Sequence, residues 1–132
     1  MNLSDEIKTF LAAPNPAVIG TLHPDGHPVT VATWYILDGE RILVNMDARR
    51  KRLAWLRDDP RVSLTVLAED SWYTHVSLQG SIVEWRDDED LADIDRLSRH
   101  YGGDPYPVRH MPRVSAWIEV ERAHAWSPKL RD

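Results

Sequence analysis

Residues 45–67, NMDARRKRLAWLRDDPRVSLTVL, read as the end of a strand, a short basic helix, a turn and a second strand. Asp47 stands where a helix cap belongs. Leu53 and Leu56, with Ala48, Arg52 and Trp55 beside them, give the helix an apolar side as far as about Arg57. Asp58-Asp59-Pro60 ends it, because the residue before a proline disfavours the α region. Val62, Leu64 and Val66 then share one face of a strand. The stretch places Arg49, Arg50, Lys51, Arg52 and Arg57 within nine residues of a chain whose formal net charge is -5. Cations in a first helical turn oppose the helix's own dipole. Such a conflict is expected where function, not folding, chose the residues. A helix N-terminus presents unpaired backbone N–H groups to a phosphate; arginine adds a two-pronged contact and lysine a mobile point charge. The competing explanation is a solvated basic face, or pairing with the acidic stretch at residues 87–95.

Working outward, Ser4 caps a short helix with Asp5 and Glu6 in its first turn, Ile7, Phe10 and Leu11 on one face, and Pro14 and Pro16 as its stop. Residues 17–22 form a strand, His23-Pro24-Asp25-Gly26 a turn, and residues 29–37 a long returning strand. Asp38-Gly39 reverses the chain into residues 42–46, completing a three-strand meander. Beyond the opening stretch, Glu69-Asp70 breaks the strand, and residues 72–84 form another, with Gly80 a bulge or close backbone approach. Asp87, Asp88, Glu89 and Asp90 open an acidic helix on which Leu91, Ile94, Leu97 and Tyr101 recur at helical spacing, Asp93 and Asp95 facing solvent. Gly102-Gly103 ends it. Residues 104–112 are a loop, residues 114–120 alternate as a strand, and a tail with Trp126 and Pro128 follows. Six to seven strands without regular strand–helix alternation predict a mainly β, antiparallel, barrel-like sheet with three short helices.

The chain's 132 residues fit one domain, residues 1–132. With no cysteine, thiolate metal sites, disulfides and thiol nucleophiles are excluded. No signal-like N-terminus and no apolar run of about 20 residues is present, so a cytoplasmic protein without a membrane partner is expected. An acidic balance argues against general nucleic-acid binding. The six histidines are scattered with no metal-ligand spacing, and no nucleophile elbow is present. Six tryptophans suit a core, an interface or a ring-binding cleft. Thr30, Ala32 and Trp34 follow the Pro-Asp-Gly turn and offer backbone and small side chains to a planar ring, although for Trp34 taken by itself core packing is the reading to prefer.

The segments GTLHPDGHPVTVATWYILDG at 20–39, LRDDPRVSLTV at 56–66 and HVSLQGSIVEW at 75–85, and the helix ending in GGDPYP, resemble in order and spacing the pyridoxamine 5'-phosphate oxidase-like split β-barrel proteins. The chain is most similar to their short type that uses the deazaflavin coenzyme F420. The resemblance implies a homodimer with cofactor sites at the subunit interface and hydride transfer between F420 and a small unsaturated acceptor. FMN is the alternative cofactor, and a non-catalytic flavin- or F420-binding dimer the alternative role. It further implies that Arg50 and Lys51 contact the cofactor phosphate, with Asn45, Asp47 and Arg49 near it. Val31, Ala32, Thr33 and Trp34 would lie by the ring, Met46 would line the same groove, and Trp72 and Trp126 would complete the site from the partner subunit. The run ARRKRLAW departs from the family's usual pattern by an extra cation, Arg52, suited to an acidic cofactor tail or to solvent. The resemblance names no catalytic side chain.

Overall fold

The computed structural model describes residues 2–127. Helix α1 (Asp5–Leu11) begins at Ser4, whose hydroxyl oxygen accepts from the Ile7 N–H at 3.2 Å. Ile7 and Leu11 are buried, as their spacing requires. Strands β1 (Ala17–Leu22) and β2 (Pro28–Thr33) form a hairpin around the predicted turn, where the Gly26 N–H donates to the His23 carbonyl at 2.8 Å. Strands β3 (Ile36–Asp38) and β4 (Arg41–Asp47) form a second hairpin, closed at Gly39 with φ +67°. Then come α2 (Lys51–Asp58), β5 (Arg61–Ala68), β6 (Ser71–Asp87), α3 (Ala92–Gly102) and β7 (Arg113–Trp126).

All seven strands pair antiparallel in the order β2-β1-β5-β6-β7-β4-β3. The two marginal strands, β2 and β3, are consecutive in the chain and joined only by Trp34 and Tyr35. Thr33 and Ile36 therefore lie within about 11 Å of each other. A seven-stranded sheet meets that constraint only by curling, so its margins approach without hydrogen-bonding. This is a barrel with a split, and the seam is at Trp34-Tyr35.

The same fact corrects two expectations. Residues 29–37 are two strands rather than one, and β2, β3 and β4 are no meander, because β2 and β3 lie at opposite ends of the strand order. Tyr35 is fully buried at the seam, its hydroxyl donating to the Ala13 carbonyl at 3.2 Å.

The core gathers the buried face of α1, Ile7 and Leu11, and the inward residues of every long strand, including Ile19, Val44, Leu64, Val76, Leu78 and Ile118. A smaller apolar cluster, Ile36, Leu43, Leu91, Ile94, Leu97 and Trp117, lies between α3 and the opposite sheet face. Val114, Ser115, Ala116, Trp117 and Ile118 are accordingly all buried. Gly80 marks the expected close approach: a Cβ there would fall 2.1 Å from the Glu119 carbonyl oxygen, where the β6–β7 register shifts.

Four local expectations are corrected. Asp47 does not cap α2. It ends β4, paired with Arg113, and the Ala48 N–H extends that ladder to the Pro112 carbonyl at 2.9 Å, so helix entry is delayed until Arg50. Asp87 to Asp90 precede α3, and Asp88 is buried, its carboxylate accepting from the Asp93 and Ile94 N–H groups at 3.0 and 2.9 Å. Asp93 and Asp95 do not face solvent; both are buried and ion-paired, to Arg86 and Arg109. Finally, Trp126 belongs to β7, opposite His75, rather than to a tail; Pro128 lies outside the described residues.

Candidate functional site

A groove of about 990 Å³ runs along the seam. Ala32 and Thr33 at the end of β2, followed by Trp34, form one wall. Asn45, Met46 and Asp47 at the end of β4 form the floor, reached across the split rather than from a neighbouring strand. The α3 side chains Ile94, Leu97 and Tyr101, and Tyr106, Val108, His110 and Met111 of the following loop, form the opposite wall. Trp34 is 38% exposed and stacks on Tyr101 at 5.5 Å between centroids and 11° between planes, with Tyr106 edge-on at 6.1 Å. It is a backed aromatic plate, neither core nor free surface.

Tyr101 is held in turn. Its hydroxyl donates to the Asn15 carbonyl at 2.8 Å and accepts from the Tyr35 N–H at 3.4 Å. Burial pushes its pKa up to about 12, so it keeps its proton.

At the other end, the turn into α2 gathers cations. Asp47 takes Arg49: its carboxylate accepts from Arg49 N, Nε and Nη2 at 2.9, 3.2 and 3.1 Å. Those hydrogen bonds push its pKa down to about 2. Arg50 is the N-cap of α2 and makes no side-chain cap, and no acidic residue stands in the first turn, so the Lys51 and Arg52 N–H groups are left uncapped, whereas the Leu53 N–H donates to the Arg50 carbonyl at 3.1 Å. Arg50 and Lys51 are exposed and form no ion pair among the described residues. Arg52 is half-buried against the groove, and its Nε is fully buried with no hydrogen-bond partner. Burial, and then the nearby Arg50, lower its pKa.

Beneath the floor lies a buried polar network. Asn45 Nδ2 donates to Asp88 Oδ2 at 3.1 Å and to Ser115 Oγ at 2.9 Å, and Ser115 Oγ donates to Asp93 Oδ2 at 2.7 Å. Asn45 Oδ1 accepts from Arg113 Nε at 2.7 Å. The loop wall is fastened by Asp95, whose carboxylate accepts from both Arg109 Nη groups at 2.9 and 3.1 Å and from the Tyr106 N–H at 3.0 Å.

Of the residues singled out in the sequence, the structure brings Ala32, Thr33, Trp34, Asn45, Met46, Asp47, Arg49 and Arg50 to one groove. Val31 does not line it; its side chain packs on the barrel core, one step out of phase with Ala32. Lys51 projects from the first residue of α2, outside the groove. Trp72 and Trp126 lie elsewhere, 69% and 59% exposed, near the paired ends of β6 and β7, where Trp72 stacks on Tyr73 at 4.8 Å. Tyr101, Tyr106, His110 and Arg113 line the groove without having been singled out as site residues. Tyr101 was legible only as one of a helix's apolar stripe, and the others fall in or beside an irregular loop.

The profile of the pyridoxamine 5'-phosphate oxidase family matches residues 3–127. The structure is similar to that of an F420 reductase, with TM-score 0.85, 21% identity, and coverage of 92% of this chain and 98% of that one. It is also similar to a conserved hypothetical protein from Mycobacterium tuberculosis, with TM-score 0.77 and 26% identity over 100% of this chain and 91% of that one. HutZ, the heme storage protein of Vibrio cholerae, shares the fold at TM-score 0.65 and 15% identity, covering 96% of each chain. No curated protein matches the chain.

Proposed function

The chain belongs to the pyridoxamine 5'-phosphate oxidase family of split β-barrels, and from that premise we propose that it is an oxidoreductase that uses coenzyme F420 to reduce a small unsaturated organic acceptor. The observation that carries the reading is the pairing of an uncapped α2 N-terminus with cations that lack protein partners, Arg50 and Arg52, at one end of a groove whose other end is the Trp34 plate. The residues fit a phosphate-bearing ring cofactor on a structural ground: the Arg52 Nε is a buried donor without an acceptor, which costs stability unless a ligand supplies one. The groove volume also lies in the range of small-molecule sites, about 300–1,000 Å³.

In this assignment Arg50 and the first N–H groups of α2 hold the phosphate, Arg52 meets the acidic tail beyond it, and Arg49 is kept in place by Asp47. Lys51 reaches the same charge from outside as a long-range attraction. Backbone and side chains of Ala32, Thr33 and Met46 border the ring. A deazaflavin bound here supplies hydride-transfer chemistry. The chain's own part is to bind and orient. Tyr101, committed to Asn15 and raised to about 12, does not serve as the proton donor, so the reduced product takes its proton from water at the open mouth of the groove. The exposed Trp72, Tyr73 and Trp126 form the surface on which a second copy docks, giving a homodimer in which these side chains close the partner's groove.

F420 is preferred over FMN because Arg52 adds a cation beyond what one phosphate needs, which suits a longer acidic tail. The deciding experiment is an equilibrium titration of the purified protein with F420 and with FMN, followed by fluorescence. Saturable F420 binding tighter than FMN binding is expected. Tighter FMN binding replaces the cofactor, and binding of neither at micromolar protein overturns the reading.

A further inference from the structure

Apart from its phosphate-holding end, the groove carries a second cation whose outer edge has no protein partner. Arg113 opens β7. Its Nε donates to Asn45 Oδ1 at 2.7 Å, and its guanidinium lies over the Tyr106 ring with Cζ 4.9 Å from the centroid. One contact fixes the rotation of the guanidinium and the other its plane, and neither consumes Nη1 or Nη2. Among the described residues those nitrogens have no hydrogen-bond partner. Asp47, directly across on β4, has its carboxylate engaged three times by Arg49, and the Asp88 carboxylate is taken by Asn45 and by the Asp93 and Ile94 N–H groups. Asn45 cannot turn away, because its amide nitrogen is committed to Asp88 and Ser115. An arginine held in this way in the lining of a groove, with both Nη groups unpartnered, is a preorganised fork for a carboxylate.

We propose that Arg113 is the carboxylate-recognising residue of the groove, and that the substrates are planar conjugated carbonyl compounds bearing a carboxylate. The carboxylate sits on the Nη1/Nη2 edge of Arg113 and the conjugated plane lies against Trp34. Tyr106 links the two, facing the Arg113 guanidinium and meeting the edge of Trp34, so that fork and plate stand on two sides of one ring. Asn45 is a positioning residue: it contacts no substrate and sets the direction of the fork. The proposal rests on the oxidoreductase reading for the fate of the bound compound; the carboxylate site itself does not.

Two probes separate charge from shape: 4-phenylbut-3-en-2-one and its para-carboxylate. Calorimetry on the protein without cofactor is expected to show the carboxylate binding at least about tenfold more tightly than the neutral ketone, the value of one charge-assisted pair. Arg113→Ala and Arg113→Gln should both abolish that preference. Arg113→Lys, a charge without the fork, should keep only part of it. The affinity of each variant for F420 should stay within about threefold of wild type. The ratio of kcat/KM for the two probes with reduced F420 should follow the binding ratio. Wild-type protein without preference for the carboxylate overturns the proposal. So does an Arg113→Gln variant that retains the preference, or one that loses F420 in the same proportion. Failure of the oxidoreductase reading looks different: neither F420 nor FMN binds, while carboxylate binding remains and still depends on Arg113.

Discussion

Replacing Arg52 with methionine is expected to stabilise the protein and weaken its hold on the cofactor together. Arg52 lies half-buried with its Nε wholly removed from solvent and without an acceptor. A buried donor left unpaired costs about 1–3 kcal/mol. Because the rest of the guanidinium opens on the groove, the lower end applies, about 1 kcal/mol, and relief of repulsion from Arg50 adds in the same direction. Methionine keeps an unbranched stem of similar reach at this half-buried position, so packing is preserved while the orphan donor is removed. For a chain of this length the gain corresponds to a rise of about 3–5 °C in Tm. The loss on the other side is one charge-assisted contact, about 1.5–3 kcal/mol, or roughly tenfold to a hundredfold in Kd for F420. Thermal melts of wild-type and R52M protein without ligand, and fluorescence titration of both, measure the two effects separately. A variant that melts at or below the wild-type temperature and binds F420 as tightly refutes the reasoning on both counts. A variant that melts higher with unchanged affinity leaves Arg52 an accident of packing and moves the acidic tail elsewhere.

Gly80→Ala sets a Cβ 2.1 Å from the backbone oxygen of Glu119, which only a backbone shift relieves, so a loss of at least about 3 kcal/mol in urea unfolding is expected; a loss below about 1 kcal/mol would show that the β6–β7 bulge gives way easily. Arg109 holds the Asp95 carboxyl below its ordinary range, so Asp95 contributes stability that is fully present above its unfolded pKa of about 3.9 and is lost as pH falls through the folded value. Asp95→Asn should therefore lower stability at neutral pH and narrow the gap to wild type below about pH 4; parallel pH–stability curves for the two proteins would contradict this. Trp72→Glu is expected to shift the protein from dimer to monomer in sedimentation at micromolar concentration while circular dichroism stays unchanged, and an unaltered dimer would place the interface elsewhere.

The turns and faces of this fold are legible in the residues, whereas the strand partners are not. His23 to Gly26, Asp38-Gly39 and Gly102-Gly103 announce their reversals by chemistry that acts within four residues. Ile7 and Leu11, or Ile94 and Leu97, declare a buried face by spacing alone. The break at Trp34-Tyr35 has no such signal. Thr33, Tyr35 and Leu37 continue the alternation of Val29 and Val31 without a missed beat, because side-chain period records the face of a residue and not the strand beside it. Only the pairing of β2 with β1 and of β3 with β4 reveals that the chain crosses from one margin of the sheet to the other there.

The part of the site that the sequence did not disclose stayed hidden for a related reason: polar residues look alike in sequence whether their partner is water or a distant side chain. Asp93 and Asp95 stand at positions that a polar residue usually gives to solvent, yet Arg86 and Arg109, seven and fourteen residues away, bury them. Asn45, placed near a phosphate by resemblance, has both its amide atoms committed to Asp88, Ser115 and Arg113. The basic turn is the converse case. There the anomaly was visible at once, since Arg50, Lys51 and Arg52 oppose the dipole of the helix they begin. The structure divides those cations by environment: Lys51 is solvated, Arg49 is neutralised by Asp47, Arg50 is exposed at the edge of the groove, and Arg52 faces the groove half-buried and without a partner. A cation that a fold neither pairs nor fully solvates has been given no structural task, and that is the physical reason to look for its anion among ligands.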